Sequence, residues 1–341
     1  MGLFGSDITG IDIGAGSIKV ARIARGVGRP KLVSAGMVDF SLDPAKVNSA
    51  SADLRYLASG KKLGTKNIAT LIPGRHLTIR SLTLPKMPHR ELREAVKWES
   101  KRHISYPLEA ALVEHLIVGE KREGTADKYE ILMVAVERGS VIEHLTPFRE
   151  AEITVSAVDA NALALRNIFR LREKLGESNT LIVDMGAGKT EINIFKGGAL
   201  RFSRCLETGG LDMTRALSEQ LGIELPEAET LKLRTDIMAP PAEDQAVAAL
   251  RVRLEALVME LRRSVEYYKT SFREKEVERI ILTGGVSLMA GIKDYFSLFL
   301  DIPVELDMPF AGLSCKEGVL EEFAPQAPRF SAAIGLALRK A

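Results

Sequence analysis

Apolar and polar residues alternate along two stretches of the chain, and both alternations break at glycines. The first runs Ile11-Asp12-Ile13-Gly14-Ala15-Gly16-Ser17-Ile18-Lys19-Val20-Ala21 and the second Leu181-Ile182-Val183-Asp184-Met185-Gly186-Ala187-Gly188-Lys189-Thr190-Glu191-Ile192. A period of two that enters and leaves a glycine turn predicts a β-hairpin in each place. Val20–Ile23 and Lys31–Phe40 continue the first hairpin as strands, and Lys196–Ala199 reads as a further hairpin turn. Helices are expected over Pro88–Ile104, Ala160–Lys174, Asp212–Leu221, about Glu243–Arg273 and Ser331–Arg339, with strands over Ala111–Gly119 and Tyr129–Val136. In the longest helix Val247, Leu250, Leu254, Leu257, Leu261, Val265, Tyr268 and Phe272 recur at threes and fours. That stripe predicts one face turned to a core, with a coiled-coil seam as the alternative.

The two hairpins carry the same Asp-x-Gly-Ala-Gly, and Asp184 follows Asp12 by 172 positions (184 less 12) in a chain of 341. Repetition at half the chain length predicts a fold of two similar halves. The composition suits this. With 46% hydrophobic and 27% charged residues the chain can bury substantial cores, and a formal charge of +2 excludes a globally basic nucleic-acid surface. Two distant cysteines, Cys205 and Cys315, exclude a disulfide framework or a zinc ribbon and point to a reducing cytoplasm. The longest uncharged run, Ile280–Ile292, is thirteen residues, short of the roughly 20 that a membrane span needs. The N-terminal Met1-Gly2-Leu3-Phe4-Gly5-Ser6 fits an acylation pattern through Gly2 and Ser6, or a short apolar tip that touches a partner or a membrane surface.

Glycine turns bring backbone close to a bound group and gather N–H donors for an anion, and an aspartate at the strand end suits the waters of a hydrated cation. One such hairpin alone is better explained by turn-forming Asp and Gly; the duplication reverses this and favours a ligand. A third cluster, Thr283-Gly284-Gly285, ends the buried run that begins at Val277. Three other patterns fail on spacing. Gly188-Lys189-Thr190 lacks the first P-loop glycine, where Val183 stands, Gly285-Val286-Ser287-Leu288-Met289 ends in Met where a nucleophile elbow needs Gly, and the five histidines form no ligand pair.

In this order the three motifs resemble the actin-like ATPase superfamily, which implies an α/β fold of duplicated, ribonuclease H-like halves. Asp12, Gly14, Gly16, Ser17 and Lys19 fall on its first phosphate loop. Asp184, Gly186, Gly188 and Thr190 fall on its second, Gly209 and Gly210 open the following helix, and Gly284 and Gly285 fall on the adenosine motif. Glu229 and Lys232 match the helix that approaches ribose and base in that superfamily, or else form an ordinary surface ion pair. A narrower resemblance covers nearly the whole chain. Leu71-Ile72-Pro73-Gly74, Leu82-Thr83-Leu84-Pro85, Ile104-Ser105-Tyr106-Pro107-Leu108, Pro309-Phe310-Ala311-Gly312-Leu313 and the close at Ser331–Arg339 are similar to the PilM family of type IV pilus assembly, a relative of FtsA.

That resemblance implies an organisation: a first half over 1–66 and 151–176 to which 330–341 returns, an inserted subdomain over 67–150, and a second half over 177–329 with a helical part at about 211–275. It implies ATP and Mg²⁺ as ligands, Asp12 and Asp184 holding the metal through water, and at most weak ATPase activity. Asp159 is the expected water-orienting acid, or else the N-cap of the helix that follows it. The expected partner is the N-terminal cytoplasmic peptide of an inner-membrane PilN-like protein, which would place the chain at the inner membrane indirectly. Further pilus ATPases, a homo-oligomer and no nucleic acid complete the expectation. Two alternatives stay open. One is a small-molecule kinase, for which no acid or base beside a substrate cleft is evident. The other is an FtsA-like filament former, from which the chain differs in ending at Arg339-Lys340-Ala341 without a membrane helix.

Overall fold

A computed structural model describes residues 7–26, 28–43, 45–46, 48–60, 67–72, 74, 77–172, 176–242, 244–274 and 276–339. The N-terminal acylation pattern and Pro73 lie outside the described residues. In chain order the elements are β1 (Ile8–Ile13), β2 (Ser17–Ala24), β3 (Lys31–Asp39), α1 (Ala50–Gly60), β4 (Ile68–Leu71), β5 (Leu77–Pro85), α2 (His89–Ser100), β6 (Ala111–Glu123), β7 (Ala126–Glu137), α3 (Arg138–Glu150), β8 (Val155–Asp159) and α4 (Asn161–Leu171). There follow β9 (Thr180–Met185), β10 (Thr190–Lys196), β11 (Ala199–Leu206), α5 (Gly210–Leu221), α6 (Leu225–Arg234), α7 (Gln245–Phe272), β12 (Arg279–Thr283), α8 (Ile292–Leu300), β13 (Val304–Leu306), β14 (Ser314–Cys315), α9 (Val319–Phe323) and α10 (Ser331–Ala337).

The duplication is visible in the sheets. One has the order β14-β3-β2-β1-β4-β8 and the other β11-β10-β9-β12-β13. Apart from the edge strand β14, both place an antiparallel three-strand meander beside two parallel strands. The central parallel strands β9 and β12 are buried along almost their whole length. Parallel strands covered by helices on both sides require this.

Strand pairing and helix packing place three segments near the expected boundaries. β4, a run of only four buried residues, pairs in parallel with β1 and β8. It belongs to the first sheet, and α3 packs on α1 through Leu145 and Phe148. A separate three-stranded sheet, β5-β7-β6 with α2 on one face, spans Leu77–Glu137 within the segment 67–150. Leu92 and Val96 of α2 pack on Ile131, Met133 and Ala135, while Trp98 points outward and is 64% exposed. The return to the first half also starts earlier than residue 330, since β14 pairs with the edge strand β3. Two residues are too few to show a period.

The α7 stripe is buried in the core of the second half, from Val247 to Tyr268. Its first turn is capped by Asp244, whose carboxylate accepts from Ala246 N at 2.7 Å and Val247 N at 3.3 Å. α10 lies across α4 and β1 so closely that a Cβ on Gly10 would stand 2.0 Å from Ala333 O, and one on Gly335 2.1 Å from Ala164 O. No described helix is long and apolar enough to cross a membrane.

Candidate functional site

The two glycine turns are built alike and meet tip to tip. Gly14 N donates to Ser17 O at 3.0 Å, and Gly186 N donates to Lys189 O at 2.9 Å, so each turn is closed by the same bond 172 residues apart. A Cβ on Gly16 would come within 2.8 Å of the Ala187 Cβ, and one on Gly188 within 2.8 Å of the Ala15 Cβ. Only glycine allows this approach, and it sets the ends of β1 and β9 on either side of one cleft.

The equivalence extends across each hairpin. Asp12 stands opposite Lys19 in the β1–β2 register, and Asp184 opposite Glu191 in the β9–β10 register. Lys19 Nζ is 3.0 Å from Asp12 Oδ2 with both side chains largely buried, and it lies over Gly14. In the second half the cation sits two residues earlier: Lys189 Nζ pairs with Glu191 Oε1 under Gly74 of the first half. Burial works against the charge of Lys189, but the attraction and hydrogen bond of Glu191 outweigh it and hold the ammonium above its ordinary range. Burial pushes Asp184 up to about 6, with Glu191 and Asp12 adding repulsion and a bond from Asn161 opposing it. His144, 3.0 Å from Thr70 Oγ1, is pushed down to about 4, by burial first and by Lys189 further, against the attraction of Asp12. It therefore stays neutral at physiological pH.

Asp159 is not in this cluster. Its Oδ1 accepts from Ala160 N at 2.8 Å, its Oδ2 is 3.6 Å from Arg339 Nε, and it lines a separate groove. The N-cap of α4 is Ala160, without a side-chain cap, so the expected capping role also fails. Asn161, two residues on, reaches the cluster instead. Its Nδ2 donates to Asp184 Oδ2 at 2.6 Å, and its Oδ1 is buried with no partner. The resemblance pointed to the acid Asp159, and Asn161, uncharged and in no motif, gave no signal of its own in the sequence. Glu191 was within reach, since the 172-residue offset carries Lys19 onto it.

Several other residues of the motifs support the turn by contacts within the protein. Gly210 N and Leu211 N donate to the carbonyls of Gly186 and Ala187 at 2.9 and 2.8 Å, and Gly209 N donates to Asp212 Oδ2, so α5 holds the second turn from behind. Thr190 Oγ1 donates to Thr208 O at 2.9 Å. Gly284, at φ +83°, passes so near Asp184 that a Cβ there would lie 2.6 Å from Oδ1, whereas Gly285 is open. Glu229 and Lys232 are no ordinary surface pair: the Lys232 side chain is 4% exposed, and Nζ donates to Glu229 Oε2 at 2.7 Å, Thr214 Oγ1 at 3.0 Å and Gly210 O at 3.2 Å. Burial lowers its pKa against the pull of Glu229. Beside Glu229 a cavity of about 550 Å³ opens between the halves, walled by Phe40, Ser41 and Lys46 on one side and Glu224 and Pro226 on the other.

The residues fit a hydrated cation that arrives with a phosphate ligand. Asp12 and Asp184 offer two carboxylates, Asn161 an unpartnered oxygen, and Lys19 and Lys189 neutralising charge. Among the described residues, no three His, Cys, Asp or Glu side chains are grouped as a metal cage.

The groove that Asp159 faces is a second concavity, of about 1100 Å³, between the inserted subdomain and the first half. Leu77, Leu112 and Val136 line one wall and Val158, Leu163 and Leu338 the other, with Arg25, Arg166, Arg170 and Arg339 around them.

Comparison with known proteins agrees with the geometry. The family model described as type IV pilus assembly protein PilM matches residues 10–341. The solved PilM-PilN type IV pilus biogenesis complex superposes with a TM-score of 0.81 at 23% identity, covering 97% of this chain and 98% of that one. The ethanolamine utilization protein EutJ from Carboxydothermus hydrogenoformans superposes with a TM-score of 0.55 at 16% identity, over 98% and 90%. Cell division protein FtsA of Neisseria meningitidis serogroup B is 28% identical over 188 residues, 49% of this chain and 44% of that protein. FtsA of Helicobacter pylori J99 is 25% identical over 244 residues, 64% and 48%. The chain thus spans about half the length of its FtsA relatives. The fold is actin-like.

Proposed function

The chain belongs to the PilM family of type IV pilus assembly proteins, and from that premise we propose that it is an ATP-binding switch or scaffold whose nucleotide lies between the two glycine turns. The observation that supports this most is the convergence at Asp184. A buried carboxylate, a second carboxylate from the other half, two lysines and the unpartnered oxygen of Asn161 meet where the turns abut. Lys19 and the turn N–H groups would neutralise the phosphates, and Asp12 and Asp184 would hold the waters of Mg²⁺. The metal would supply charge neutralisation at the phosphates. Asn161 takes the place assigned to Asp159 and would orient a water or a phosphate oxygen. The cavity beside Glu229 leaves room for ribose and base.

The partner would be an extended peptide from an inner-membrane protein, PilN-like, laid in the groove between the inserted subdomain and the first half. Apolar walls that end in charged side chains suit such a segment. Protection from hydrogen exchange around 77–136 and 158–171 on adding that N-terminal peptide would support docking there, and protection only in the second half would refute it.

The nucleotide site is tested by titrating ATP with Mg²⁺ into Asp12→Ala and Asp184→Ala. Each loses a charge-assisted acceptor, about 1.5–3 kcal/mol, or roughly ten- to hundredfold in affinity. Wild-type affinity in both folded variants would refute the site.

A further inference from the structure

Arg329 reaches across the mouth of the cleft from a segment shared by both halves. It sits in the 3₁₀ stretch Ala324–Phe330, whose Pro328 carbonyl accepts from Gly284 N at 3.1 Å and from Thr283 Oγ1 at 3.0 Å in the second half. The helix that follows, α10, packs on the first half. The Arg329 side chain passes the open Gly285, with Cγ 4.0 Å from where a Cβ would stand. Its guanidinium then meets the first glycine turn: Nη2 donates to Ser17 Oγ at 3.1 Å and pairs with the Asp39 carboxylate, and Nη1 donates to Gln326 Oε1 at 2.6 Å. Ser17 and Asp39 are cross-strand neighbours on β2 and β3. The charge is also felt at buried Lys232, whose pKa it helps to lower. Arg329 thus borders the first turn and the adenosine-motif glycines at once.

Its partners are weak competitors for an anion. Asp39 is 57% exposed, and an ion pair so open to water contributes little. Ser17 and Gln326 are neutral. A phosphate group offers the fork of a guanidinium two parallel charge-assisted hydrogen bonds. We propose that Arg329 is a phosphate-binding residue of the nucleotide site, held by Asp39 while the cleft is empty and exchanged onto the polyphosphate of a nucleoside di- or triphosphate when it fills. The inference rests on the cleft being a nucleotide site. It adds a cation from outside both glycine motifs and a carboxylate that competes with the ligand for it.

The exchange makes Asp39 an inhibitor of binding, which a merely structural ion pair would not be. ATP and ADP, each with Mg²⁺, are titrated calorimetrically into the wild type, Arg329→Gln, Arg329→Lys, Asp39→Asn and the double variant. Arg329→Gln is expected to weaken both nucleotides about ten- to hundredfold. Arg329→Lys is expected to fall between it and the wild type, because a point charge replaces the fork. Asp39→Asn is expected to tighten binding severalfold, and only while Arg329 is present, so the double variant matches Arg329→Gln. Unchanged affinity in Arg329→Gln overturns the proposal, as does weaker or unchanged binding in Asp39→Asn. If the wild type binds with dependence on Asp12 and Asp184 while these variants behave like it, the nucleotide site stands and the role of Arg329 falls. If the wild type binds neither nucleotide, the site itself falls.

Discussion

Asp184 shows how one burial decides a site's chemistry. A carboxylate in water ionises near 4, whereas here burial and Glu191 hold it at about 6. If the ionised form is what receives metal-bound water, affinity for ATP with Mg²⁺ should fall as pH drops through about 6 and level off above 7. In Asp184→Asn that dependence should vanish; calorimetry between pH 5 and 8 reads it. Stability runs the other way. The folded chain binds the proton more tightly than the unfolded chain, so this group's contribution is present below the ordinary carboxylate range and is lost as pH rises to about 6. His144, displaced downward to about 4, stabilises as pH rises from there to its ordinary value near 6.5. Comparing wild type with Asp184→Asn isolates the first term. The neighbouring pair Asp159 and Asn161 gives a sharper contrast. Asn161→Ala should weaken nucleotide binding severalfold and lower any hydrolysis, since it removes the bond to Asp184 and an unpartnered acceptor. Asp159→Ala should leave nucleotide binding unchanged, because its carboxylate faces the groove. Equal effects of the two in titration and turnover assays would return Asp159 to the cleft.

At the level of elements, close packing at glycine holds the C-terminal helix against the first half. A Cβ on Gly335 would meet the backbone of α4 at Ala164, which cannot move aside as a flexible side chain could. Gly335→Ala should therefore cost about 1–3 kcal/mol, seen as a lower urea midpoint with an unchanged slope. An unchanged midpoint would mean that α10 rides further out. The sequence was most informative where period and repetition agreed: both hairpins, the α7 stripe and the duplicated halves follow from alternation and the 172-residue offset. It was least informative where an element was short or shared. β4 is four residues long and β14 two, and their place depends on partners distant in sequence. Arg329 carries no motif, and only the return of the 324–330 segment between the halves brings it to Ser17.

At the level of the molecule, two half-sites become one because the halves are joined at several points around the cleft. Arg172, which caps the C-terminus of α4, is paired at 2.5 Å with the fully buried Asp307, just beyond β13. Asp307 in turn accepts from Ser331 Oγ at 2.5 Å, at the start of α10. The glycine tips of the two halves meet as well. Nucleotide bound there would contact both turns at once. Hydrogen exchange of the whole chain, with and without ATP and Mg²⁺, tests that most directly. Protection is expected together in residues 12–19 and 184–191, and in Asp12→Ala both segments should need roughly ten- to hundredfold more nucleotide to respond. Protection of one turn without the other, or of neither at nucleotide concentrations that saturate binding, would contradict a single site built from both halves.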